Sequence, residues 1–72
     1  MRNIKKTDLG RRLRSDRKSA GLTLRDLERL SGISNAYICQ IETGRVRDIT
    51  TKVCFKLAKA LKADPSWLAG WQ

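Results

Sequence analysis

The sequence holds no histidine, proline occurs once and cysteine twice, and the aromatic residues are two Trp, one Tyr and one Phe. Lacking histidine, the chain has neither the commonest general base nor a means of building a Cys/His zinc site. Cys39 and Cys54 fit no metal-ligand spacing and read as two reduced thiols, so no metal and no cofactor are expected. A glycine-rich phosphate loop, a Ser/His/Asp set and a close pair of carboxylates are also missing, and an enzyme is therefore not expected. Apolar runs are only a few residues long, far short of the ~20 needed to span a bilayer. The segment from Met1 to Lys6 is basic but leads into a charged helix with no apolar core, unlike a secretory signal, and a cytoplasmic location is the expectation.

Acidic residues are also few, with 7 Asp and Glu against 16 Lys and Arg, which leaves a net charge of +9 on 72 residues. So strong a field on one small domain points to a polyanion as partner. Between nucleic acid and a membrane surface, the patterning favours the first. A membrane-surface helix would gather its apolar residues on one face opposite lysines, whereas here they are shared among five short helices as a core. A chain of this length buries a modest core and often leans on a second subunit. No small-molecule ligand is expected.

Helical periodicity and cap signals give an all-α domain with no competing strand pattern. Residues 1–6 read as a basic arm carrying Arg2, Lys5 and Lys6, and residues 7–72 as one domain. Thr7 is the expected cap of a first helix running to about Ala20, with Leu9 and Leu13 inward and Gly21 at its end. Thr23 and Asp26 have capping-box spacing and open a second helix to about Leu30, with Leu27 and Leu30 inward. Gly32 suits the turn, and Ser34 caps a third helix from Asn35 to about Thr43 whose inner stripe is Ile38 and Ile41. Gly44 ends it. Arg45, Val46, Arg47 and Asp48 form a loop before a fourth helix, capped by Asp48 or Thr50, with Cys54, Leu57, Ala58 and Leu61 inward. Asp64 and Pro65 are a cap and first-turn proline for a short fifth helix carrying Trp67 and Leu68, both expected under the fourth.

The stretch from Leu22 to Arg45 is by this reading a helix-turn-helix. Its residues Gly21-Leu22-Thr23, Leu27, Gly32-Ile33-Ser34, Ile38 and Ile41-Glu42-Thr43-Gly44-Arg45, followed by Leu57-Ala58-Lys59-Ala60-Leu61, resemble the phage Cro and repressor, or XRE-type, family over roughly residues 7–70. The resemblance implies a five-helix, lambda-repressor-like DNA-binding domain of prokaryotic or phage origin, whose third helix enters the major groove of a palindromic operator. It places Asn35, Ala36, Tyr37 and Gln40 toward base edges, where Asn and Gln can pair with adenine and the Ala36 methyl can meet a thymine methyl. The alternative for Asn35 and Gln40 is a helix-start support and a solvated side chain. By the same resemblance Arg17 pairs with Glu42, a carboxylate at the unfavourable end of its helix. Phosphate contacts are expected from Thr23, Arg25, Ser34, Cys39, Thr43, Arg45 and Arg47. Two positions depart from the family pattern. Leu24 stands where a phosphate-binding glutamine is usual, leaving that contact to Arg25. Glu28 stands where a small residue is usual, and must lean toward water or find a donor.

Arg11, Arg12, Arg14 and Lys18 read as a solvated face, and the arm either follows a groove or is unordered. Trp67, Leu68 and Trp71 are the expected surface of a homodimer, the alternative being that Trp71 folds back on its own domain. The expected function is that of a repressor acting on double-stranded DNA with an inverted-repeat operator. An antitoxin-like module that holds a protein partner and a controller-type activator are the competing readings.

Overall fold

Three hydroxyl side chains set where helices begin in the computed structural model of the chain, which describes residues 4–69 and the side chains of residues 8–68. The elements are α1 (Ile4–Ser19), α2 (Leu24–Ser31), α3 (Asn35–Glu42), α4 (Thr51–Leu61) and α5 (Pro65–Ala69), with no strand among the described residues. Thr23 Oγ1 accepts from the Asp26 N–H at 3.0 Å, Ser34 Oγ from Tyr37 at 3.1 Å and Thr50 Oγ1 from Val53 at 3.1 Å. Each satisfies a backbone donor that a helix start leaves without a partner. Thr50, not Asp48, therefore caps α4. At α5 the Asp64 carboxylate accepts from Ser66 N–H at 2.9 Å, and Pro65 occupies a first-turn position that needs no donor.

The first helix departs from expectation at its start. It is already helical at Ile4, so Thr7 lies within α1 and not at its cap, and residues 4–6 of the expected arm are helix. Residues 1–3, Arg2 among them, lie outside the described residues, as do the side chains of Lys5 and Lys6.

The α2 start is a complete capping box: Thr23 N–H donates to Asp26 Oδ2 at 2.9 Å in return for the bond to Thr23 Oγ1. The Thr23 backbone N–H, foremost, and the Thr23 side chain hold the Asp26 carboxyl below its ordinary value of 3.8. A carboxylate depressed in the folded state stabilises above its unfolded pKa, and that contribution fades as pH falls through the folded value. Titration of Asp26 by carbon-detected NMR is thus expected to give a midpoint below 3.8 in the native protein and a higher one in Thr23→Val.

Leu13, Leu27, Ile38, Ile41, Cys54, Leu57, Ala58 and Leu68 form the buried core, with Leu9, Ile33, Tyr37, Val53 and Leu61 packed at its edge. Full burial of a leucine or isoleucine side chain stabilises by about 1.5–3 kcal/mol. Helix α1 packs on α3 and α5, α2 on α3 and α4, and α4 on α5. Burial pushes the Cys54 thiol up, and its sulfur lies 3.6 Å from the Pro65 carbonyl oxygen, which joins α4 to the start of α5.

Leu30 is not a core residue. It is 60% exposed, because each step of three residues falls short of a full turn, and the second such step, from Leu24 through Leu27, carries it roughly 120° round the helix from Leu24. The inward stripe runs from Leu24 through Leu27 to Ser31 and leaves Leu30 to one side. Trp67 also departs from its expected place under α4. Its indole N–H donates to Asp16 Oδ2 at 3.2 Å and the Arg12 guanidinium stands 5.0 Å from the ring centre, so the side chain lies along α1.

Candidate nucleic-acid interface

Two short helices and a tight turn present one face of α3 to solvent. The turn depends on Gly32, which closes α2 in the left-handed region at φ 79° and sends its N–H to Glu28 O, a backbone state that side-chain-bearing residues adopt at a cost. Ile38 and Ile41 then fasten α3 to the core, both fully buried. What remains outward is Ala36, Cys39, Gln40 and Thr43, all exposed and spaced as a single helical stripe. Asn35 and Tyr37 flank this stripe, one on each side, and both are half-buried. Tyr37 packs against the edge of the core, so only part of its ring is available to a ligand.

The stripe is held from behind by an ion pair. Arg17 extends the inward Leu9 and Leu13 row of α1 by one more turn and is 9% exposed. Its Nε donates to Glu42 Oε2 at 2.7 Å and its Nη2 to Glu42 Oε1 at 3.0 Å, a two-pronged pairing, while Nη1 donates to Leu22 O at 2.9 Å. One guanidinium thus ties α1 to the entry of α2 and to the last residue of α3. The hydrogen bond to Glu42 raises the Arg17 pKa above its ordinary value despite its burial. Gly10 completes the contact: a Cβ there would stand 2.6 Å from Ile41 O and 2.7 Å from Glu42 O. Helix α1 can therefore lie against the end of α3 only with glycine at this point.

Around the stripe the charges divide into paired and unpaired sets. Arg11 is paired with Asp8, Arg29 with Asp26 and Arg17 with Glu42. Arg25, Arg45 and Arg47 are exposed and make no side-chain hydrogen bond or ion pair with a described residue. Arg25 lies in the first turn of α2, and Arg45 and Arg47 lie just past the end of α3. Here three unengaged guanidinium groups border a surface of methyl, thiol, hydroxyl and amide groups, a combination suited to the phosphates and base edges of a duplex.

Several expected phosphate ligands are engaged internally. The Thr23 N–H is committed to Asp26, which removes that amide from the expected contacts at the start of α2. The Thr43 hydroxyl donates back to Cys39 O at 3.0 Å and Gln40 O at 3.3 Å, so its one proton faces helix carbonyls. Ser34 uses an Oγ lone pair for its cap and keeps its proton, and the Cys39 thiol is exposed. At the expected dimer surface, Leu68 is fully buried and offers nothing to a partner, Trp67 is 46% exposed, and Trp71 lies outside the described residues.

Gly10 and the bond between Glu28 and Asn35 were not named by sequence reasoning. In the second case the Asn35 Nδ2 donates to Glu28 Oε1 at 2.9 Å, so Glu28 meets its need for a donor.

Comparison with known proteins extends the geometry. A helix-turn-helix family model, HTH_3, matches residues 13–68. Two uncharacterized HTH-type transcriptional regulators of Mycobacterium tuberculosis, MT0491 of strain CDC 1551 and Rv0474 of strain H37Rv, are each 39% identical over 52 residues, 72% of this chain and 36% of the relative. The chain thus spans about a third of the length of these relatives. Among solved structures, the restriction-modification controller protein C.AhdI of Aeromonas hydrophila is 34% identical with a TM-score of 0.83, covering 90% of this chain and 97% of that one. An HTH_3 family transcriptional regulator from Vibrio cholerae is 30% identical with a TM-score of 0.84, covering 100% of this chain and 40% of its own.

Proposed function

Because the chain belongs to the HTH_3 helix-turn-helix family, we propose that it is a sequence-specific DNA-binding transcription regulator, a cytoplasmic repressor that binds a palindromic operator as a homodimer. The observation that carries this reading is the exposed stripe of Ala36, Cys39, Gln40 and Thr43, together with Arg25 in the first turn of α2 and Arg45 and Arg47 just past α3, all exposed and unpaired among the described residues. An α-helix fits the major groove, and in this orientation Gln40 and Asn35 meet base edges while the three arginines meet phosphates. Ser34, which keeps its hydroxyl proton, and the exposed Cys39 thiol are further proposed phosphate contacts. Two such helices in a dimer would occupy successive grooves about 34 Å apart and block polymerase. The exposed aromatic surface of Trp67 and Phe55, at 46% and 50%, supports a dimer contact through α5 and α4.

A controller-type activator is the second reading, favoured by the match over 97% of the length of a restriction-modification controller protein. Both readings share the DNA interface and differ in what the bound protein does to transcription, so a reporter fused to the selected operator separates them by the sign of its response.

The interface itself is tested by selecting duplexes from a random pool, then measuring binding at two salt concentrations. An inverted repeat is expected. Gln40→Ala should relax a single base-pair position, lowering preference for the favoured base by about 1–3 kcal/mol, with the salt slope unchanged. Arg45→Ala should weaken all sequences alike and reduce the log–log salt slope by roughly 1. Binding without enrichment of any sequence would sink the reading.

A further inference from the structure

A carboxylate beside a surface meant for phosphates is out of place, since it repels the ligand. Glu28 is nonetheless there, half-buried in the second half of α2 and facing the first residue of α3. Its Oε1 accepts from Asn35 Nδ2 at 2.9 Å across the Gly32 turn, seven positions away in sequence. No other side-chain hydrogen bond or ion pair to a described residue is made by either group. We propose that Glu28 is a positioning residue for DNA sequence recognition: it fixes which edge of the Asn35 amide faces the base, and so which base Asn35 selects. This rests on the reading of α3 as the helix that enters the major groove.

The reasoning is a matter of donors and acceptors. An ionised carboxylate has only lone pairs to offer, while an asparagine amide has a donor end and an acceptor end of nearly equal shape. Facing Glu28, the amide must turn its NH2 toward the carboxylate. Reversal would set oxygen against oxygen in a half-buried site, where an unpaired polar contact is costly. The Asn35 carbonyl oxygen is thereby aimed away from Glu28, with the second N–H still beside it. That edge accepts first and donates second. Adenine complements both atoms, through its N6 amino group and N7. Cytosine offers N4 alone, and guanine O6 and N7 or thymine O4 set acceptors against an acceptor. A free asparagine could turn over to suit guanine. Asn35 held by Glu28 cannot, and the repulsion of phosphates by Glu28 is a cost borne by every sequence equally, so it does not blur the choice.

The test compares wild type, Asn35→Ala and Glu28→Gln by selection from a random duplex pool, followed by competition among duplexes varied at single positions, together with thermal melting. Asn35→Ala identifies the position that Asn35 reads, where wild type should prefer adenine by about 5- to 150-fold, the range for a bidentate pair. Glutamine is the same size as glutamate and can donate or accept, so in Glu28→Gln the Asn35 amide is free to turn. The expected result is that guanine at this position recovers to within a few-fold of adenine while every other position and the melting midpoint are unchanged, with overall affinity raised by loss of the negative charge. If Glu28→Gln keeps the full adenine preference that Asn35→Ala loses, Glu28 only supports the fold and the proposal is overturned. If wild type selects an inverted repeat but Asn35→Ala alters no position, the proposal also falls while the regulator reading stands. Failure of wild type to select any sequence removes both.

Discussion

Replacing Arg17 by methionine is expected to cost about 3–5 kcal/mol, the range for removing one partner of a buried ion pair and leaving the other charge without compensation. Domains are stabilised by roughly 0.05–0.15 kcal/mol per residue, so a loss of that size takes much of what a chain this small possesses. Three bonds disappear together: two to Glu42 and one to the carbonyl of Leu22. The Glu42 carboxylate, 7% exposed in its side chain, would remain at the negative end of α3 with no cation facing it. Because the Arg17 pKa is raised in the fold, chiefly by the Glu42 bond, its contribution is fully present below the unfolded pKa and is lost only as pH rises through the still higher folded one, so the defect should persist across the whole working range of pH. Urea denaturation followed by circular dichroism measures it. The double variant Arg17→Met with Glu42→Leu should regain a large part of the loss, since neither charge is then buried alone. A single-variant loss below 1 kcal/mol would mean that α3 is held by its two isoleucines and that the ion pair contributes little.

Gly10→Val is the second large expectation. Even the first carbon of a side chain at this position would stand 2.6 Å and 2.7 Å from two backbone oxygens, well inside contact distance, and backbone atoms at a helix end cannot step aside cheaply. Valine adds two further methyl groups and is rotamer-restricted in helices. Overpacking of this kind costs typically about 1–3 kcal/mol, sometimes more. For a domain of this size about 1 kcal/mol lowers the melting temperature by roughly 4–8 °C, and calorimetry should show a shift of at least that magnitude. The change should also push α3 away from α1 and so disturb DNA binding beyond what instability accounts for. Gly10→Ala is the graded control: its Cβ meets the same two oxygens, and the helix propensity it gains, about 1 kcal/mol, offsets only part of that clash, so it should also destabilise, though less than valine with its two further methyl groups. A melting temperature unchanged in Gly10→Val would show that the two helices can part without penalty.

Both predictions rest on contacts between α1 and α3, and the two differ in how far the sequence announced them. Features decided within one turn of helix were legible. The box formed by Thr23 and Asp26, the Ser34 cap, the Gly32 turn and the Ile38 and Ile41 stripe each depend on residues three or four apart. Arg17 and Glu42 are 25 positions apart and were paired only through the family resemblance. Gly10 gave no signal at all, because a helical glycine looks like a weak point until the neighbouring helix is known to press on it. Errors arose where a local rule met a tertiary alternative. Thr7 had cap chemistry but the helix continued through it, and Leu30 was apolar but lay beyond the edge of the inward stripe. Trp67 and Leu68 both read as packed under α4 and as part of a subunit surface; the core takes Leu68 whole, whereas Asp16 draws Trp67 to α1. At the candidate site, Glu28 was recognisable as a residue in need of a donor, yet that the donor is Asn35 emerges only when the two helices are in place.

The clasp between Trp67 and α1 also gives the protein an optical probe. An indole whose N–H is held by the Asp16 carboxylate and whose face lies under the Arg12 guanidinium has emission sensitive to both, and any event that lifts α5 from α1 must change its colour and intensity. In a Trp71→Phe background, Trp67 becomes the sole indole of the chain. Its fluorescence would then report in real time whether a second subunit covers the aromatic surface or the clasp opens, without an added label.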